Sequence, residues 1–337
     1  MTTLLAVRAC LSQAYRTVTP SSRNLLRERI PQIRSQRHWQ SQARTPLKRK
    51  ILTPKVETSR GADAAFGLGK GVVAGASALG IGALCFYGLG LSSEAGTADK
   101  AAVWPEYVRE RVKSTYMYFG SGIGITAASA YAISRSAPLM RLVSRTGWVS
   151  LLVSMAAVLG TGAVARSIPY KGEFGAKQVA WMVHVATMGA IVAPLTLLGG
   201  PIMLRAASYT AGIVGGLSTL AMCAPSDKFL NMGGPLAMGL GVVFMSSIGS
   251  MFLPPTSVFG AGLYSITVYG GLVLFGLFLL YDTQKIVKRA EDYPAIYGFK
   301  GEHGYDPINN SISIYLDTMN IFIRLAMIFA GGGNKRR

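Results

Sequence analysis

Charge is scarce in this chain. Only 15% of its 337 residues are Asp, Glu, Lys or Arg, where a soluble domain carries about 25%. With 50% hydrophobic residues, that scarcity argues against an ordinary soluble domain and for one that lives in lipid. Cysteine is nearly absent. Cys10, Cys85 and Cys223 are an odd, scattered set, two of them inside apolar runs, which argues against a disulfide framework or a zinc site. No HExxH pair, Walker loop, cysteine cluster or nucleophile–base–acid set is present, so the sequence predicts no enzyme, no catalytic residue and no bound cofactor.

Acids are missing above all from the amino terminus. Residues 1–60 hold ten Arg and three Lys but only Glu28 and Glu57. An Arg-rich, Ser-rich, acid-poor terminus has the character of an organelle transit peptide. The preference for Arg suits import driven by a potential that is negative inside. The alternative is a basic tail that stays attached. We read residues 1–45 as a mitochondrial transit peptide, cut between Arg37 and Thr45, and residues 46–70 as a basic matrix-side segment. Of the formal charge of +19, the first seventy residues carry +11 (14 Lys/Arg against 3 Asp/Glu). Basicity confined to one terminus before an apolar body does not suggest nucleic-acid binding.

What is present in abundance is apolar sequence. A helix needs about 20 such residues to cross a bilayer. Eight windows come close: 71–91, 115–134, 148–167, 179–199, 201–221, 235–253, 258–281 and 309–330. The fold class is therefore all-α, a polytopic membrane bundle over residues 71–330 followed by a basic tail, 331–337. Gly67, Gly71 and Gly75 stand at the four-residue spacing that lets helices approach closely in lipid. The "GGP" join at Gly199–Pro201 predicts an antiparallel hairpin between the fourth and fifth spans. Eight spans put both basic ends on the matrix side, beside the Arg135–Arg145 loop, with modest support from the distribution of Lys and Arg.

Charge inside a membrane is costly and faces the protein interior or a water-filled cavity. Asp282 closes the seventh span, and Asp317 lies well inside the eighth. Asn310, Ser313, Asp317, Asn320 and Arg324 form one polar stripe at helical spacing. Antiparallel packing of the last two spans would bring Asp282 and Asp317 to similar depth. Two such carboxylates cannot both ionise cheaply, so the pair titrates as a unit. It can hold a proton, or lose it and attract calcium, which prefers clustered oxygens. Tyr315 could add an oxygen. The plainer alternative is that Asp282 is interfacial and Asp317 simply pairs with Arg324. Arg166 is a further candidate counter-ion, or snorkels to the interface. His184 reads as a core residue, and Arg205 as snorkelling at the opposite face.

The strings "LLYDTQKIVKRAE" and "YDPINNSISIYLDTMNIFIRLAMI" resemble the last two spans of the Bax inhibitor (transmembrane Bax inhibitor motif) family. Other strings, such as "VWPEYVRERVKSTYMYFGSGIGITAASAYAISR" and "GSMFLPPT", resemble its mitochondrial branch. The resemblance covers residues 70–337. It implies the family's seven helices plus one amino-terminal span, in the mitochondrial inner membrane. It implies proton-coupled calcium exchange or leak, with the family's paired aspartates at Asp282 and Asp317. It also implies a role in cristae organisation and in retaining cytochrome c during apoptosis. The partners implied are inner-membrane lipids, calcium ions, protons, cytochrome c and other inner-membrane proteins. A different class stays open, a scaffold working through protein partners by way of the mixed-charge loop Ser92–Ser114.

Overall fold

The computed structural model describes residues 104–145, 147–224, 229–254, 256–292 and 305–332. The transit peptide, the basic segment, the first apolar window, the Gly67–Gly75 spacing, about half of the Ser92–Ser114 loop, Cys10, Cys85 and residues 333–337 of the basic tail lie outside the described residues.

The described residues are helical, with no strand among them. The helices are α1 (Glu106–Arg135), α2 (Ala137–Val143), α3 (Trp148–Ser167), α4 (Ala176–Val192), α5 (Gly200–Cys223), α6 (Gly233–Phe252), α7 (Val258–Ser265), α8 (Gly271–Asp292) and α9 (Pro307–Gly332). A 3-10 turn, Ala193–Leu198, extends α4, and a π-turn, Ile266–Gly270, joins α7 to α8 in one long rod. Five units are long and apolar enough to cross a membrane: α3, α4 with its 3-10 turn, α6 with the 3-10 turn before it, the α7–α8 rod and α9. The other two long helices are diluted by polar residues. α1 begins with Glu106, Arg109, Glu110, Arg111 and Lys113, and α5 carries Arg205 and several Ser, Thr and Gly.

Helix α9 is the axis of the bundle. It packs against α8, α1 and α5, and Ile308, Ile314, Ile321 and Ile323 on it are fully buried. Its apolar remainder meets neighbouring helices rather than lipid. Helices α1 and α4 approach closely because Gly189 faces α1. A Cβ there would lie 1.8 Å from the Ser129 hydroxyl and 2.6 Å from the Thr126 carbonyl oxygen. Small residues at such crossings are how helices associate in lipid, where apolar surface alone drives nothing.

The expected hairpin at Gly199–Pro201 takes a different form. Pro194 lacks the N–H that would continue the α4 ladder, and the chain tightens into the 3-10 turn. Gly199 then adopts φ +98°, a conformation that glycine reaches without strain. The chain turns sharply enough that α4 packs on α1 and α3, while α5 packs on α8 and α9. The short join thus splits the two helices between different neighbours.

Candidate functional site

Helices α8 and α9 run antiparallel, and their facing side chains form three rungs. Each rung steps seven residues back along α8 and seven forward along α9. In the first, Arg289 donates to the Asn310 side-chain oxygen at 2.8 Å. In the second, the Asp282 and Asp317 carboxyls face one another within hydrogen-bonding reach. In the third, the Arg324 guanidinium lies over the Phe275 ring, 4.5 Å from its centre, a cation–π contact. Two turns, or about 10 Å along the helix, separate successive rungs.

A bond between two carboxyl groups needs a proton on one of them, because an ionised carboxylate only accepts. Two carboxyls this close in a buried setting cannot both ionise cheaply. Asp317 is 5% exposed, and Asp282 is half-buried. One Asp317 oxygen, Oδ2, is buried with no hydrogen-bond donor beside it among the described residues. Arg166, Lys285 and Arg289 lie within electrostatic reach of Asp282. Near this rung Tyr116, Ser218 and Thr283 bring three buried hydroxyls towards one another. Among the described residues no group of three or more His, Cys, Asp or Glu could hold a metal ion, so the anionic part of the site is these two carboxyls.

Above the middle rung, a cavity of about 300 Å³ opens beside Arg166, Tyr170, Arg289, Tyr305, Asp306 and Asn309, among others. Its rim is tied down by Lys177, which is 2% exposed. Lys177 pairs with Asp306 and donates to the Ile168 carbonyl at 2.7 Å and to Asn309 Oδ1 at 3.0 Å. These contacts fasten the turn after α3 to the start of α9. Both rim tyrosines stay protonated at neutral pH: burial pushes Tyr170 up to about 12 and raises Tyr305, since desolvation disfavours the phenolate.

The remaining stripe residues separate. Asn310, Asp317, Asn320 and Arg324 are buried and Ser313 half-buried. Arg324 does not pair with Asp317. Its Nη1 donates to the Asn320 carbonyl at 3.0 Å and to Asn320 Oδ1 at 2.9 Å, and its Nε donates to the Thr267 carbonyl at 3.2 Å. Seven residues place Arg324 on the face of Asp317 but two turns along, out of ion-pair reach. Arg166, expected as a counter-ion, is exposed yet electrostatically coupled to Asp282. Arg205, near the start of α5, is exposed. His184 is 2% exposed, with Nδ1 held 3.1 Å from the Thr161 hydroxyl.

Tyr315 does not add its oxygen to the pair. Its hydroxyl bonds Thr126 Oγ1 at 2.6 Å, while Thr126 donates onward to the Val185 carbonyl at 3.1 Å. The chain of bonds links α9 to α1 and α4. Sequence reasoning missed Gln284, beside the acid in "YDTQ". Its Oε1 accepts from the Phe229 amide at 2.8 Å and its Nε2 donates to the Ala221 carbonyl, which anchors α8 to both sides of the α5–α6 connection. An amide two residues beyond the acid, still within the apolar rod, is the signal that could have found it.

A family model described as "Inhibitor of apoptosis-promoting Bax1" matches residues 108–335. A rat protein, "Growth hormone-inducible transmembrane protein", is 56% identical over 291 residues, covering 86% of this chain and 82% of its own length. Rat "Bax inhibitor 1" is 29% identical over 227 residues, 66% of this chain and 86% of that one. A Helicobacter pylori protein is 27% identical over 221 residues, 64% and 84% of the two chains. With the model's match spanning more than half of the sequence, the chain belongs to the Bax inhibitor family of multi-pass membrane proteins.

Proposed function

We propose that this protein moves calcium across the mitochondrial inner membrane in exchange for protons, and that Asp282 and Asp317 are the residues that bind both. One observation carries the reading. Two carboxyl groups on neighbouring membrane helices face one another within hydrogen-bonding reach, where a proton on one of them would join the pair. Loss of that proton leaves two anionic groups side by side, which a hard divalent cation relieves. Calcium takes six to eight oxygens when held tightly. Two carboxyls and nearby hydroxyls offer fewer, which suits brief occupancy and release better than storage. Arg166 and Arg289 keep the site from holding a cation too strongly, because they lie within electrostatic reach of Asp282.

The mitochondrial address rests on the Arg-rich leader, and the family's named members support a membrane role in cell survival. Cristae organisation and cytochrome c retention belong to the same proposal as consequences for the membrane in which the protein sits. A second reading, a scaffold acting through protein partners, has one observation in its favour. The charged first two turns of α1 leave Glu106, Arg109, Glu110 and Lys113 exposed, a polar surface fit for docking.

The two readings part in liposomes. Purified protein should admit calcium against an imposed proton gradient, while protein-free vesicles do not. Absence of calcium movement would leave the scaffold reading standing. For the address, a tagged chain without residues 1–60 should lose its mitochondrial destination. Undiminished arrival would show that the leader is not the signal.

A further inference from the structure

Arg324 is the largest fully buried side chain among the described residues, with 0% exposure. Among those residues its hydrogen bonds go to the Asn320 and Thr267 carbonyls and to Asn320 Oδ1, and none to a carboxylate. Its seat is nonetheless made to fit. In a regular α-helix the Gly271 amide would bond the Thr267 carbonyl, four residues back. Here the π-turn sends that amide to the Ile266 and Val268 carbonyls instead. The Thr267 carbonyl is left to accept from Arg324 Nε. Single π-turns inside α-helices recur at functional sites. Gly271 completes the seat: a Cβ there would fall 2.1 Å from Arg324 Nε and 2.9 Å from its guanidinium carbon. Phe275 covers one face of the guanidinium, and Nη2 has no hydrogen-bond partner among the described residues.

An arginine held this way contributes charge where hydrogen bonds alone could have been satisfied by an amide. Its place gives the charge a purpose. It sits one rung beyond the Asp282–Asp317 pair and on the same face of α9. A cation that reaches the pair from the cavity beside Arg166 and Arg289 meets a fixed positive charge if it continues along the stripe. A carrier that exchanges protons for calcium needs such a stop, because a site open to both sides at once is a leak.

We infer that Arg324, seated by the π-turn and Gly271, is the electrostatic barrier that closes the inner end of the cation path and so keeps calcium movement coupled to protons. The inference rests on the carrier reading of the aspartate pair. The π-turn is the element that must rearrange to withdraw the barrier, since it supplies the carbonyl that holds Nε.

The test follows calcium and proton fluxes together in liposomes containing the full chain, with a membrane potential imposed by potassium and valinomycin. Arg324→Gln removes the charge and keeps hydrogen-bonding capacity. Gly271→Ala keeps the charge but unseats the guanidinium. Both should pass calcium driven by potential alone, with the ratio of protons to calcium collapsing towards zero. Arg324→Lys should keep the coupling. Wild-type coupling in Arg324→Gln and Gly271→Ala would overturn the barrier and leave the aspartate pair intact. If one variant is not monodisperse in detergent, the other decides alone. A silent wild type with a leaking Arg324→Gln would reject exchange yet uphold the barrier. Silence in both would reject the two together.

Discussion

Helices α9 and α3 can both cross a membrane by length and composition, and α3 is slightly the more apolar. Yet 72% of the apolar window of α9 is buried inside the bundle, against 17% for α3. The order is the reverse of what water would impose. In lipid an apolar side chain gains little by leaving the acyl chains, so burial goes to the helix that carries Asn310, Asp317, Asn320 and Arg324. An arginine at the centre of a membrane helix costs about 2.5–3.5 kcal/mol on insertion scales. Carbonyl, amide and ring contacts around Arg324 offset that cost, and they exist only at the centre of the bundle. Helix α3 carries a single charge, Arg166, at its end and turns Leu152, Val153 and Val164 outward.

Substitutions of equal chemistry on the two helices sharpen the contrast, and the largest effect should come from truncation. Ile323→Ala on α9, where the side chain is 0% exposed, should cost about 2–5 kcal/mol through the cavity it leaves. Leu152→Ala on α3, 56% exposed, should stay within about 0.5 kcal/mol. Unfolding in detergent measures both, and equal losses would mean that α3 has partners outside the chain.

Helix contact gives a smaller difference. Gly189→Ala forces a methyl against Ser129 and the Thr126 carbonyl and should cost about 1–3 kcal/mol. Gly160→Ala on α3 meets nothing within 4 Å and should be neutral in the same unfolding measurement. The smallest effect is expected at a single interior hydrogen bond. Tyr315→Phe removes the link to Thr126 and should cost about 0.6 kcal/mol, the usual worth of such a bond between membrane helices. A thermal shift matching that of Ile323→Ala would show that the Tyr315–Thr126–Val185 chain is cooperative.

The sequence made the helices legible because apolar length is a local property. The expected window 309–330 became Pro307–Gly332, and 148–167 became Trp148–Ser167. Apolar run length misled where a helix leaves the membrane without ending. The seventh window stops before Asp282, but α8 continues to Asp292 through Lys285, Lys288 and Arg289. Helix α1 likewise starts nine residues before its window, since Val108 and Val112 pack against Ala290. The helical stripe on α9 was readable from spacing, and antiparallel neighbours bring Asp282 to Asp317. The seat of Arg324 was not readable, because a π-turn and a glycine 53 residues away in sequence create it. Nor was the engagement of Tyr315 by Thr126, a contact between the first and last described helices.

In the proposed exchange, a proton held between Asp282 and Asp317 competes with calcium. Acid on the side of the Arg166 cavity should inhibit calcium movement, because protonated carboxyls lose their attraction for a hard cation. Replacing either acid by Asn removes half of the anionic pair. The most direct measurement is calcium flux against pH in liposomes for four proteins: wild type, Asp282→Asn, Asp317→Asn and the double variant. The wild type should lose flux as pH falls. Each single variant should drop close to the level of empty vesicles with a flat pH profile, and the double variant should be no worse, since residues that act as a unit are not additive. Wild-type flux with an unchanged pH profile in both single variants would contradict the paired-aspartate account.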